Sequence, residues 1–72
     1  MNKKEKLIIA LREERDNLPE YNFFGEKNDL EDYDLTILYL ETGYVREDES
    51  NYDLLYSAVH DINSLYTDYD IE

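Results

Sequence analysis

Apolar residues recur at helical spacing in three segments of the chain, and the longest of these is the last, residues 50 to 72. Its main apolar positions follow one another in steps of three and four, which is the spacing of one helix face. They are Tyr52, Leu55, Val59, Ile62, Tyr66 and Tyr69, with Ala58 and Leu65 in a second line beside them. The segment contains no Lys or Arg. We therefore predict one long helix, capped by Ser50, that presents an apolar face to the core and carboxylates elsewhere.

Two further helices are predicted upstream. In residues 2 to 17, Leu7, Ala10 and Leu11 share one side, and Pro19 ends the helix because proline disfavours helical backbone in the residue before it. In residues 29 to 42, the apolar positions again follow steps of three and four. This second helix has Asn28 as a plausible N-cap, with Glu31 three residues later, and Gly43 at the position that favours a left-handed end.

The second segment also allows a different structure. Thr, Ile, Tyr and Val favour strands, and Gly43 suits a turn, so residues 35 to 46 are also compatible with a β-hairpin. Strict alternation fails at Ile37 and Leu38, which are adjacent and both apolar. We therefore predict an all-α fold, a compact three-helix bundle of one domain over residues 1 to 72, with an α+β fold containing that hairpin as the alternative.

A loop is predicted between the first two helices, from residue 19 to residue 28. It contains Phe23 and Phe24 side by side, followed by Gly25. Adjacent aromatic residues in a loop usually close one end of a small core. The alternative is an exposed aromatic anchor at an interface, where such residues often dominate the binding energy.

Composition limits the classes of protein that fit. With no Cys and a single His, the chain has neither a disulfide nor a Cys/His zinc site to stabilise its 72 residues. No apolar run approaches the roughly 20 residues that span a bilayer, and no signal-peptide pattern precedes the first helix. We expect a cytoplasmic protein that does not enter a membrane.

Charge is the strongest feature of the composition. The net charge is −12, and from Asp16 onward 16 acids face only Lys27 and Arg46. Such a field disfavours direct binding to nucleic acid and anionic membranes, and favours basic partners. Lys3, Lys4 and Lys6 form a small basic start, which we interpret as a solvated helix end rather than a nucleic-acid contact.

Residues that carry out chemistry are sparse. His60 and Asp61 are neighbours in sequence, and neighbours on a helix do not face each other. No serine lies in a nucleophile-elbow motif, and the acidic clusters lack the spacing and central glycine of a calcium loop. We predict no enzyme activity, no cofactor and no dedicated metal site.

Tyrosine and carboxylate residues instead alternate along much of the chain. Tyrosine provides a rigid apolar ring with a hydroxyl, which suits half-buried and interface positions. The predicted partner-binding residues are Asp29, Glu31, Asp32, Tyr33, Asp34, Asp53, Asp61, Asp68, Tyr69 and Asp70. The partner they suit is a basic nucleic-acid-binding protein, bound by this chain as a monomer or a homodimer.

The negative charge of the chain is of the same order as the charge on a piece of duplex DNA as long as the protein is wide. A domain of this length is about 30 Å across, a distance that about 17 phosphates of duplex DNA span. In size, charge density, lack of Cys and Tyr/Asp texture, the chain resembles the small acidic DNA-mimic inhibitors of phages and mobile elements: anti-CRISPR proteins, anti-restriction proteins and uracil-DNA glycosylase inhibitors. The resemblance implies stoichiometric blocking of a nucleic-acid site and carries over no individual residue roles. An acidic immunity protein or antitoxin, and an interaction module without mimicry, are the alternatives.

Overall fold

The computed structural model describes all 72 residues and contains four α-helices and no β-strand. The helices are α1 (Lys3–Asn17), α2 (Leu30–Thr42), α3 (Asp53–His60) and α4 (Ile62–Asp68), and a short 3-10 turn (Glu49–Asn51) precedes α3. The all-α prediction is confirmed. The hairpin alternative is wrong, because most of the segment proposed for it lies within α2.

Local signals at the ends of α1 and α2 explain where these helices begin and end. Asn2 caps α1 by accepting a hydrogen bond from the Glu5 amide at 2.8 Å, and the chain turns extended at Leu18, before Pro19. Gly43 ends α2 in the left-handed region with φ of 82°, as predicted.

The N-cap of α2 differs from the prediction. Asp29, rather than Asn28, accepts the hydrogen bond from the Asp32 amide, at 3.2 Å. The side chain of Asn28 instead donates to the Pro19 carbonyl at 2.7 Å, which ties the beginning and end of the connecting loop together. The negatively charged side chain of Asp suits this position better than the neutral side chain of Asn, because the helix dipole is positive at its N-terminus.

The segment predicted as one long helix is divided at Asp61, whose backbone leaves the helical region with φ of −154° and ψ of 67°. The bend lets the two halves pack on different neighbours: α3 contacts α2, and α4 contacts α1. A straight helix would hold both halves along one line. The three-and-four spacing of apolar residues continues across the break in the sequence, because α3 and α4 each turn their apolar face toward the core.

The core lies where these four helices meet. Its buried cluster consists of Leu7, Leu11, Ile37, Leu40, Ala58 and Leu65, and Leu55 is buried as well. In the last segment, the residues of the second apolar line, Ala58 and Leu65, are buried, whereas Val59, Ile62 and Tyr66 of the main line are half-buried. Leucine side chains from all four helices therefore provide most of the buried apolar surface.

One carboxylate lies inside this core and joins two helices. Asp32 of α2 is only 6 % exposed, and its two oxygens accept hydrogen bonds from the amides of Leu54 and Leu55 at 3.0 and 3.1 Å. Neither Ser50 nor any other local side chain caps α3; the residue at its N-cap, Tyr52, makes no side-chain cap bond. Asp32 therefore caps α3 from a neighbouring helix, satisfying amides that would otherwise lack partners.

Burial raises the pKa of the Asp32 carboxyl, and the hydrogen bonds from Leu54 and Leu55 oppose that rise. The folded state then binds the Asp32 proton more tightly than the unfolded chain does. The contribution of Asp32 to stability consequently increases as pH falls through the folded-state pKa toward the unfolded value, and decreases as pH rises.

We predict that Asp32→Asn lowers the free energy of unfolding by about 1–3 kcal/mol, since the amide nitrogen of Asn faces a backbone N–H and leaves it unpaired. Chemical denaturation measured by circular dichroism tests this. Asp68→Asn makes the same change in charge at an exposed position and should leave stability within about 0.5 kcal/mol. Equal stability of the two variants would contradict the cap.

Candidate functional site

Arginine side chains neutralise part of the acidic surface between α1 and α2. Arg15 holds Asp34 through two hydrogen bonds, of 2.5 and 3.2 Å, and Arg12 holds Glu41 at 2.8 Å. The hydrogen bond to Asp34 and the negative charge of Asp34 raise the pKa of the Arg15 guanidinium. Asp34, a predicted partner-binding residue, is thus already paired within the fold.

Arg46 neutralises a second part of the surface. It reaches Glu31 on α2 at 2.7 Å and Asp48 at 3.0 Å, and its guanidinium lies 5.7 Å from the centre of the Tyr52 ring. Glu31, also in the predicted set, is therefore paired. These contacts fix the connection between α2 and α3, but each is exposed enough for salt to screen it.

The region from Asp53 onward is different, because none of its aspartates has a cationic partner within the fold. Asp53, Asp61, Asp68 and Asp70 are all exposed, and none forms an ion pair or a side-chain hydrogen bond. We call these four residues the open acidic surface. Asp29 is likewise exposed and without an ion pair, but its side chain is engaged as the cap of α2.

Basic residues of α1 contact α4 and the C-terminal end of the chain. Lys6 donates to the backbone carbonyl of Glu72 at 3.1 Å, and the Lys3 ammonium lies 5.6 Å from the centre of the Tyr66 ring. The basic start of the chain thus holds the C-terminal end against the bundle. This contact gives the Lys cluster a structural role that its sequence alone did not indicate.

Two predicted tyrosines lie half-buried at the edge of the core. Tyr33 donates to Glu14 at 2.5 Å, and Tyr69 packs against the same apolar cluster. Burial, reinforced by Glu14, raises the pKa of Tyr33 from 10.0 to about 12. The pKa of Tyr69 is also raised, mainly by burial and secondly by the hydrogen bond and charge of Glu14. These rings stabilise the contact of α1 with α2 and the C-terminal end.

The structure therefore separates the predicted residues into distinct environments. Asp32 is a correction to the predicted surface, because it is buried and both its oxygens accept backbone hydrogen bonds. Tyr56 was missed: it is 48 % exposed, and its ring centre lies 4.5 Å from that of His60. The sequence did contain a signal for this exposure, because residue 56 lies off the main apolar line of residues 52, 55, 59 and 62.

His60 and Glu49 form the remaining polar contact of this region, with His60 Nε2 and Glu49 Oε1 at 2.6 Å. No group of three or more His, Asp or Glu side chains is arranged to hold a metal ion. None of the helices combines the length and the apolar character needed to cross a membrane.

No known protein family, curated protein or solved structure matches the chain.

We predict that the protein loses stability as pH rises from 10 toward 12, because unfolded Tyr33 ionises while the folded hydroxyl keeps its proton. In Tyr33→Phe, the free energy of unfolding should fall by about 1 kcal/mol less over this pH range than in the original protein, a figure already reduced for solvent screening. Denaturant titrations at pH 9 and pH 11 measure it. Tyr21→Phe, at an exposed ring, is the control; an unchanged alkaline loss in Tyr33→Phe would contradict the assignment.

Proposed function

We propose that this protein is a DNA-mimic inhibitor of the anti-CRISPR or anti-restriction type, encoded by a phage or mobile element. It binds the basic nucleic-acid site of a bacterial defence protein in the host cytoplasm and blocks access of DNA. The observation that carries the proposal is the open acidic surface: exposed carboxylates of the last third of the chain that no Lys or Arg of the protein neutralises.

Size and rigidity also support the proposal. The longest dimension of the molecule is 36 Å, a distance that about 20 phosphates of duplex DNA span. We treat α3 and α4 as one bent arm of a three-helix bundle, which holds the carboxylates at fixed positions rather than on a disordered tail. Fixed carboxylates lose less conformational entropy when they meet Arg and Lys side chains of a partner.

The open acidic surface also carries aromatic side chains that suit the proposed site. Tyr56 and His60 pack against each other on α3, with their ring planes tilted by 39°, and lie between Asp53 and Asp61 in the sequence. In a channel for single-stranded nucleic acid, aromatic rings of a ligand lie where bases stack. Carboxylates then provide attraction and a fast encounter, and the rings provide specificity.

The same charge supports a second function, an immunity protein or antitoxin that neutralises a basic toxin. An interaction module without mimicry is a third. Competition with DNA distinguishes these alternatives from mimicry. If this protein binds its partner away from a nucleic-acid site, DNA does not displace it.

The first test is affinity capture from a bacterial lysate at low and moderate salt, with and without competing duplex DNA. Mass spectrometry identifies the retained proteins. We expect a basic nucleic-acid-binding protein that duplex DNA displaces. A retained partner that DNA leaves in place would contradict mimicry and favour the immunity or interaction function.

We predict that Asp53→Asn, Asp61→Asn and Asp68→Asn together weaken binding to that protein by about tenfold, because three unpaired charges contribute about 0.5 kcal/mol each. Isothermal titration calorimetry at two salt concentrations measures the loss, and it should shrink as salt rises.

The matched control changes Glu5, Glu13 and Asp16 to their amides, which removes the same net charge from exposed positions on α1. This control should bind nearly as well as the original protein. Equal weakening by the two triple variants would mean that only net charge matters, and would contradict a defined acidic surface.

A further inference from the structure

The loop between α1 and α2 is an ordered turn. Backbone hydrogen bonds join Asn28 to Glu20 at 2.9 Å and Asn22 to Glu26 at 2.7 Å, so the two sides of the loop run antiparallel. The Asn22 side chain also accepts from the amides of Phe24 and Glu26, at 2.9 and 3.0 Å. Gly25 completes the turn with φ of +79°, a conformation that costs other residues energy.

This ordered turn presents two phenyl rings to solvent. Phe23 is 96 % exposed and Phe24 is 81 % exposed. Their ring centres lie 5.5 Å apart and the ring planes are almost perpendicular, at 89°. They pack on each other rather than on the core, so the prediction that they close the core is wrong. Together they expose roughly 300 Å² of apolar surface on a projecting tip.

The base of the loop, rather than the tip that carries the two rings, borders an acidic groove. An open groove of about 650 Å³ adjoins the loop, and its lining includes the carboxylates of Glu20, Asp29, Glu31 and Asp34 against one ammonium, that of Lys27. Glu20 and Asp29 form no ion pair within the protein. A partner that receives the rings at the tip of the loop and extends along it thus meets unneutralised negative charge at the base of the loop.

We propose that Phe23 and Phe24 form an anchor that inserts into an apolar cleft of a basic protein, with Lys or Arg side chains at the rim of that cleft entering the acidic groove. The inference deepens the proposed function, on which it rests for the identity of the partner. It adds the two phenyl rings to Tyr56 and His60 as the contacts that provide affinity and specificity, and leaves attraction to the open acidic surface.

Other occupants fit the charge less well. A second copy of this chain also carries a net charge of −12, and the two copies repel each other. An anionic lipid surface is repelled for the same reason. A basic protein is the partner whose charge attracts the groove while its apolar cleft covers the rings.

The test compares three variants of the loop on the protein retained by affinity capture. Phe23→Ala with Phe24→Ala removes the anchor and should weaken binding by about thirtyfold, at high and low salt alike. Phe23→Leu with Phe24→Leu keeps apolar bulk and should recover part of the affinity. Asn22→Ala keeps both rings but loosens the turn, and should weaken binding severalfold.

Two controls accompany these variants. Tyr44→Ala removes another exposed ring, 57 % accessible, at a distance in sequence from the loop, and should bind as the original protein does. Circular dichroism should show unchanged helix content in all loop variants, because both rings lie outside the core. Unchanged affinity of the double Ala variant would overturn the anchor.

The outcomes separate the anchor from the proposed function. Loss of binding in the double Ala variant, with a partner that duplex DNA does not displace, would keep the anchor and overturn mimicry. Equal binding of that variant to a partner that DNA does displace would do the reverse. Capture of no protein by the original chain would overturn both.

Direct assays test the other two occupants. We expect no sedimentation with phosphatidylcholine vesicles, with or without phosphatidylserine, and a monomer in analytical ultracentrifugation at micromolar concentration. Vesicle binding that the double Ala variant abolishes would overturn the proposal in favour of a lipid surface. A dimer that the same variant dissociates would overturn it in favour of a second copy.

Discussion

The carboxylate of Asp32 determines how the second half of this protein joins the first. It extends from α2 into the core and accepts the two amides at the start of α3, so the position and direction of α3 are set by a residue 22 positions away from the first of those amides. Thr36 donates to the Asp32 backbone carbonyl at 2.7 Å from one turn later and completes a buried polar network. No buried side-chain polar atom lacks a partner. Such a network favours one arrangement of helices, because any other leaves a buried carboxylate without donors.

The division of charge over the surface depends on that arrangement. With α3 fixed on α2, Arg46 pairs with Glu31 on α2 and with Asp48 in the connecting segment. Arg12 and Arg15 pair with acids across the contact of α1 and α2. All three arginines are thus occupied away from α3 and α4. The four aspartates of the open acidic surface remain without ion pairs, and the bend at Asp61 distributes them along both α3 and α4. The proposed mimicry depends on this uneven neutralisation more than on net charge.

The parts of the fold that the sequence predicted are those with local causes. The apolar spacing, Asn2, Pro19 and Gly43 act within a few residues, and α1 and α2 begin and end close to where these signals placed them. The break at Asp61 escaped prediction, because the apolar spacing continues across it and aspartate is compatible with helix. The burial of Asp32 escaped as well, since a cap donated by another helix leaves no local pattern. For Phe23 and Phe24 the sequence allowed both a buried and an exposed position, and only the hydrogen bonds of the ordered turn decided between them.

The most direct test of mimicry is hydrogen exchange measured on the target protein, once with duplex DNA bound and once with this protein bound. If the open acidic surface replaces phosphates, both ligands should protect the same basic segments of the target. This protein should also protect an adjoining apolar segment that receives the two phenyl rings. Protection in a region separate from the DNA footprint would contradict the account.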